Sequence, residues 1–198
     1  MRVCVVRLDA LGDTLLSTPA IQLLQGAGHD VTVLTSPVGT SLLRGLAPAI
    51  EVAGDESARA IATRIRRLQP EAALIFTEKR RGLSGAYQAG VPIRIGFDPG
   101  LTQPLKSLWL KLALTDRVLF QNSPKVDPGL HEVQRYRSLV EKLVPDLNAK
   151  TPGLFMQFSP EETQMAEVWV RENCPSRPLG IQLTPKWGLH GLTARHLR

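Results

Sequence analysis

Apolar residues along this chain gather in short blocks separated by polar turns, and the blocks alternate between two periods. Val3 to Leu8 is a nearly continuous, Val-rich run, the pattern of a strand buried on both faces of a parallel sheet. The polar turn Asp9-Ala10-Leu11-Gly12-Asp13 follows. A helical pattern then runs through Leu15, Leu16, Ile21, Leu23 and Leu24 and ends at Gly26 and Gly28. Pro19 lies inside it and implies a kink or a restart, with Thr18 as the cap of the restarted helix and Pro19 at its first position. Asp30 to Thr35 reads as a second strand, Val38 to Leu46 as a short helix and Ile50 to Ala53 as a short third strand. Ser57 to Leu68 is a basic amphipathic helix closed by Pro70, and Ala72 to Phe76 a fourth, buried strand. Leu83 to Ala89 is helical and Pro92 to Phe97 a further strand. Strand and helix alternate, which predicts an α/β fold: a Rossmann-like, doubly wound parallel sheet with right-handed crossovers.

The pattern loosens between Asp98 and Pro128, where several prolines and a basic, helix-like stretch around Lys106 to Leu114 suggest an excursion from the sheet. A regular helix resumes from Leu130 to Leu143, and Pro145 to Pro152 reads as a linker. Ser159-Pro160-Glu161-Glu162 then carries a helix start with a Ser cap, Pro at the first position and a Glu reaching back. That helix ends near Asn173, before Pro175. Leu179 to Leu183 is a new apolar strand, and a further helix start stands near Thr193. The expected organisation is one domain over residues 1–150, followed over 151–198 by a linker helix and the opening of a second, incomplete domain.

Composition narrows the class. With 43% hydrophobic and 21% charged residues, the 198-residue chain is that of a globular protein. No run approaches the ~20 apolar residues of a membrane helix, and the N-terminus is charged again too soon for a signal-peptide core. A cytoplasmic protein is expected. Cys4 and Cys174 have no C-x-x-C partner and no nearby His pair, so neither zinc nor a disulfide framework is expected. The net charge of +6 favours anionic partners, and equally fits a basic but inert surface. A nucleic-acid partner is not expected, since aromatics make up 5% and no reading motif is present.

In open α/β sheets ligands bind at the carboxyl ends of strands, so the turn after the first strand is the place to look for chemistry. It lacks G-x-G-x-x-G and the Walker lysine, which excludes a dinucleotide fingerprint and a P-loop. It has Gly12, which permits close backbone approach, and then Asp13. By itself Asp13 also fits an ordinary first-turn carboxylate favoured by the helix dipole, and Asp9 a helix cap.

The stretch Arg7 to Ala20, with Gly12-Asp13 and then Thr18-Pro19, resembles the opening signature of the ADP-heptose–lipopolysaccharide heptosyltransferases, glycosyltransferase family 9. The resemblance continues in Ala72 to Phe76 with Arg81-Gly82-Leu83-Ser84, in Ala89-Gly90-Val91-Pro92-Ile93-Arg94-Ile95-Gly96-Phe97, and in His131-Glu132 followed by Tyr136 and Leu139. These pieces keep the family's order from Arg7 to about Leu143. Ile181-Gln182-Leu183-Thr184-Pro185-Lys186-Trp187 is similar to the opening of the family's donor domain, although Trp187 comes early and Leu192-Thr193 stands where Trp-Pro is usual.

The resemblance implies a GT-B architecture of two Rossmann-like domains facing a cleft, the N-terminal one taking the acceptor and the other the nucleotide sugar. It implies an inverting, metal-independent transfer of a sugar, heptose in the family, with no cofactor beyond the donor, ADP-heptose. Asp13 matches the catalytic carboxylate, the general base for the acceptor hydroxyl; a carboxylate suits that role when partial desolvation raises its basicity. Gly12, Lys79, Arg80 and Arg81 are the expected acceptor-binding residues, the three cations equally fitting a solvated loop. Thr184 and Lys186 are the expected donor-phosphate contacts. The acceptor would be an anionic glycolipid or glycan of the lipopolysaccharide-core type. Peripheral contact with the cytoplasmic face of the inner membrane would follow, with Lys106, Trp109 and Lys111 in reach of it or filling ordinary surface and core places. A second half that stops at residue 198 leaves an alternative: a non-catalytic, truncated remnant or a binding module for an anionic glycolipid.

Overall fold

The structure is a computed structural model that describes residues 1–119, 131–174 and 176. It divides into two compact units, Met1–Gln157 and Phe158–Arg198. In the first unit the elements run β1 (Arg2–Arg7), α1 (Leu11–Gly26), β2 (Asp30–Thr35), α2 (Pro37–Leu42), β3 (Ala49–Glu51), α3 (Ala58–Leu68), β4 (Ala72–Ile75), α4 (Arg80–Ala89), β5 (Ile93–Asp98), α5 (Pro104–Ala113), β6 (Asp116–Leu119) and α6 (Glu132–Leu143). The second unit contributes α7 (Pro160–Asn173).

All strand pairings are parallel, in the order β3-β2-β1-β4-β5-β6. This is the doubly wound arrangement expected from the alternating pattern. β1 lies in the middle, with Val5 opposite Val33 on one side and Leu74 on the other. Its side chains alternate between two cores. Val3 and Val5 pack with Ile21, Leu24, Val33, Leu74 and Leu139 on the side of α1 and α6. Cys4 and Val6 pack with Leu34, Ile61, Ile65, Ile75 and Leu110 on the side of α3, α4 and α5. Both faces are covered, which is why the strand carries no polar residue between Arg2 and Arg7. Burial pushes the Cys4 thiol up to about 12, leaving a small hydrophobe without thiolate character. Gly82 lets α4 lie close to this layer: a Cβ there would come within 2.8 Å of Thr77 and 3.0 Å of Val6.

Two expectations are corrected. α1 is one continuous helix through Pro19, with no restart. Proline has no N–H for the Leu15 carbonyl, but the Thr18 hydroxyl donates to that oxygen at 2.8 Å. Thr18 Oγ1 also accepts from the Phe155 N–H at 2.9 Å, and Gln22 Nε2 donates to the Gly153 carbonyl at 3.0 Å. The helix therefore pins the strip 153–155 to the first unit. Second, the region after Asp98 is no excursion as far as it is described: α5 is a regular crossover helix and β6 extends the sheet beside β5. β6 was hidden because it is a short edge strand, with Asp116 and Arg117 before its apolar pair. In the second unit, α7 begins at the expected capping box: Ser159 Oγ accepts from Glu162 N–H at 3.1 Å, and Glu162 Oε2 accepts from Ser159 N–H at 2.7 Å.

One buried acid knits this end of the sheet. Asp98, at the end of β5, is fully buried; its carboxylate pairs with Arg117 of β6 and accepts from the Gly100 N–H at 2.9 Å and from the Ser107 hydroxyl of α5. Burial alone would raise its pKa, but these partners together hold it below the ordinary value of 3.8. A carboxylate held ionised in the fold takes its proton later than in the unfolded chain. Its contribution is therefore complete above pH ~4 and is lost as pH falls below that. Asp98→Ala should destabilise the protein by about 2–3 kcal/mol at pH 7, because it strands an N–H and a guanidinium. The gap between wild type and variant in urea unfolding should narrow as pH drops below ~4.

Candidate functional site

The strand order reverses direction between β1 and β4, so the connections leaving their carboxyl ends run to opposite faces of the sheet and leave a crevice. Arg7, the last residue of β1, lies at its floor. Its side chain is only 4% exposed. One guanidinium nitrogen donates to the Phe76 carbonyl just past β4. The same nitrogen is 3.4 Å from the Asp9 carboxylate, and the other terminal nitrogen is 3.5 Å from that of Asp13. The guanidinium also stands over the Tyr136 ring of α6, 5.0 Å from its centre. Tyr136 in turn stacks on Phe76 at 5.0 Å and meets Phe97 at 6.1 Å. Burial pushes the Tyr136 hydroxyl up to about 12, against the opposing pull of Arg7, so it stays protonated at neutral pH.

Above this floor is a cavity of about 250 Å³, walled by Asp9, Asp13, Glu78, Phe97, Glu132 and Arg135 as well as Arg7, Phe76 and Tyr136. Glu132 and Arg135 are paired at 2.5 Å on the first turns of α6, which His131 caps by accepting the Val133 N–H at its Nδ1. A second, more apolar cavity of about 450 Å³ lies alongside, between α4, α5 and the ends of β4 and β5. Glu78 and Phe97 belong to both walls.

The expected site residues fall in different places. Gly12 and Asp13 lie in the first turn of α1, and Asp13 lines the smaller cavity while 47% exposed; a Cβ on Gly12 would meet nothing within 4 Å. The cap position of α1 is Ala10 and not Asp9, which is turned to Arg7, so no cap side chain serves the first-turn amides. Lys79 Nζ donates to the Leu8 carbonyl at 2.5 Å and ties the turn after β4 to the one after β1. Arg80 lines the larger cavity, its guanidinium 5.4 Å from the centre of the Trp109 ring. Arg81 points elsewhere and donates to the carbonyls of Ala53 and Glu56 at 2.8 and 3.0 Å. Thr184 and Lys186 lie outside the described residues. Sequence reasoning left Arg7, Glu78 and Tyr136 without a role. The available signal for Arg7 was the charge that closes the apolar run Val3 to Val6.

Among the described residues no group of three or more His, Cys, Asp or Glu side chains is placed to hold a metal ion.

The fold is similar to that of solved glycosyltransferases, so the likeness read in the sequence is borne out at the level of the fold. The chain is similar to the glycosyl transferase family 9 protein from Veillonella parvula DSM 2008, with a TM-score of 0.66 at 16% identity over 87% of this chain and 50% of that one. It is likewise similar to E. coli ADP-heptose lps heptosyltransferase II, with a TM-score of 0.63 at 16% identity, covering 85% of this chain and 50% of the other. A third likeness is to E. coli heptosyltransferase WaaC with ADP-2-deoxy-2-fluoro heptose, with a TM-score of 0.51 at 18% identity over 79% and 51% of the two chains. This chain thus spans about half the length of the solved structures it matches. No family model matches the sequence, and no curated protein matches it.

The geometry separates the two charges that meet at the floor. Arg7→Met would leave Asp9 without its cation and the Phe76 carbonyl without its donor, and should cost about 3 kcal/mol in urea unfolding. Asp13→Asn removes a half-exposed carboxylate and should cost less than about 1 kcal/mol in the same experiment.

Proposed function

We propose that the chain is the acceptor-binding part of a glycosyltransferase that moves a sugar from a nucleotide-sugar donor, with Asp13 as the general base. The observation that carries this reading is the position of Asp13. It stands half-exposed at the mouth of a polar cavity at the β1/β4 crevice, held on one side by a buried arginine. A carboxylate so placed can take a proton from a hydroxyl while the rest of the floor stays fixed.

The reaction is an inverting displacement. The acceptor hydroxyl loses its proton to a carboxylate oxygen of Asp13 as its oxygen attacks the anomeric carbon of the donor. The bond from that carbon to the nucleotide's phosphate oxygen breaks, and the nucleotide diphosphate leaves with the electron pair. Asp13 afterwards returns its proton to water. Gly12 leaves the start of α1 open for an acceptor beside Asp13, with free space where a Cβ would stand. Arg80, free of the backbone ties that occupy Lys79 and Arg81, is the cation of the three best placed for an anionic acceptor. The pairing of a charged cavity with an apolar one supports an amphiphilic acceptor, a glycolipid of the lipopolysaccharide-core type. ADP-heptose is the first donor to try, and Thr184 and Lys186 are the residues assigned to its phosphates. No step calls for a metal or a further cofactor.

The test combines the protein, ADP-heptose and a de-acylated lipopolysaccharide core, and follows nucleotide release and the mass of the acceptor. Asp13→Asn should lower turnover by about 100-fold or more and leave acceptor affinity within about threefold. Turnover unchanged in that variant removes Asp13 as the base. Acceptor binding without turnover in the wild type would favour a glycolipid-binding module, and absence of binding would remove the acceptor assignment.

A further inference from the structure

The two cavities of the crevice differ in charge, and the difference bears on what each can hold. The smaller is walled by four carboxylates, those of Asp9, Asp13, Glu78 and Glu132, and by two guanidinium groups, those of Arg7 and Arg135. Both cations are already engaged with acids of the same wall. Arg7 lies 3.4 Å from Asp9 and 3.5 Å from Asp13, and Arg135 lies 2.5 Å from Glu132. The wall is left with a formal excess of negative charge. The larger cavity has the opposite balance: its charged residues are Arg80, Lys106 and the shared Glu78.

Glu78 stands at the border, three residues past the end of β4. It is exposed, and among the described residues its carboxylate has no hydrogen-bond or ion-pair partner. The fold makes no use of it. It takes no part in the pairing that holds Arg7, and the cap position of α4 belongs to Lys79. Arg80, two residues on, contacts the Trp109 ring and makes no ion pair among the described residues.

A carboxylate accepts hydrogen bonds and donates none. Sugar hydroxyls bring the donors that such a wall lacks. A phosphate or carboxylate would bring further acceptors and like charge to a wall whose cations are engaged, and juxtaposed like charges weigh heavily against binding. Phe76, Phe97 and Tyr136 add flat apolar surface for the carbon face of a sugar ring. At about 250 Å³ the space is below the ~300–1,000 Å³ of pockets for drug-sized ligands, and it suits a single sugar unit.

We infer that the sugar unit carrying the attacking hydroxyl is a neutral polyol, without phosphate or carboxylate of its own, and that Glu78 selects for this by accepting from a second hydroxyl of that unit. The acceptor's anionic groups lie further along, in the larger cavity beside Arg80. The inference rests on the assignment of the crevice to an acceptor and names the class of group that each half of it takes.

The test is calorimetric titration of the full 198-residue chain, without donor, so that the result does not depend on which residue is the base. The probes are two de-acylated lipopolysaccharide-core oligosaccharides of equal length, one ending in an unsubstituted heptose and the other in the same heptose bearing a phosphate. Wild type should bind the neutral end at least about tenfold more tightly. High salt should shrink that preference, because Glu78 and Asp13 are partly in solvent. Glu78→Gln keeps the shape and removes the charge; it should bring the two probes within about threefold of each other, mainly by improving the phosphorylated one. Its unfolding should match wild type, since the side chain is exposed and unpartnered. Arg80→Gln should weaken both probes at least about fivefold and leave their ratio unchanged. Equal binding of the two probes by wild type, or tighter binding of the phosphorylated end, overturns the inference. A preference that survives Glu78→Gln in full overturns the role of Glu78, and an Arg80→Gln variant that binds both like wild type overturns the place given to the anion. Binding of neither probe is a different result and overturns the acceptor assignment beneath.

Discussion

The strand β1 is buried on both faces along nearly its whole length, and a guanidinium is nevertheless held, almost fully buried, at its last position. A buried cation in that place is tolerable only with charge and hydrogen-bond partners around it, because stripping water from an ion is worth several kcal/mol against folding. Arg7 obtains them from three separate parts of the chain: the carbonyl after β4, the two acids of the turn into α1, and the face of Tyr136 on α6. Meeting that requirement fixes how the turn after β1 lies, how close β4 comes, and where α6 must dock. The floor of the crevice is therefore set by electrostatic necessity at one residue, and the cavity above it inherits its shape.

This arrangement divides the two acids by what surrounds them. Asp9 is drawn inward to the arginine, and its main-chain carbonyl accepts from the Ser36 hydroxyl at 3.2 Å, so it belongs to the frame. Asp13, one helical turn further on, touches the same guanidinium from the outside and keeps nearly half of its surface in solvent. A residue of the frame cannot easily change its protonation or partners during a reaction; a residue leaning on the frame can. The same logic applies to the cations after β4. Adjacent positions in a first helical turn point ~100° apart, so Arg80 and Arg81 diverge. One reaches a cavity beside Trp109, and the other binds the loop after β3.

Much of the fold was legible because its determinants are local. A strand covered on both faces must be a continuous apolar run, as Val3 to Val6 and Ala72 to Ile75 are, and the capping box of α7 is written in four consecutive residues. Pro19 was misread because the rule that it breaks helices assumes an orphaned carbonyl. Thr18 supplies the missing donor from the neighbouring position. β6 was missed because an edge strand beside a helix buries only part of its length, and its pairing is decided by Asp98 and Arg117, which look like surface charges in a sequence. The site was half-visible. Gly12 and Asp13 follow from their place after the first strand, but the role of Arg7 depends on a tyrosine that folding alone brings beneath it.

The outer face of α5 obeys the same accounting with the opposite result. At the floor of the crevice Arg7, Asp9 and Asp13 answer one another within the chain; along α5 the exposed leucines are excluded from both cores, and the lysines beside them have no acidic neighbour on the segment. A helix patterned only for its own sheet would put polar residues on that face, since the apolar residues it needs for the core, Leu110, Ala113 and the edge of Trp109, are already present on the other. Leucine on the water side gives the isolated fold no burial and adds a liability to aggregation. Part of that face is answered within the molecule: Leu105, Lys106 and Trp109 wall the larger cavity beside Arg80, so apolar surface and cation meet at the edge of the crevice.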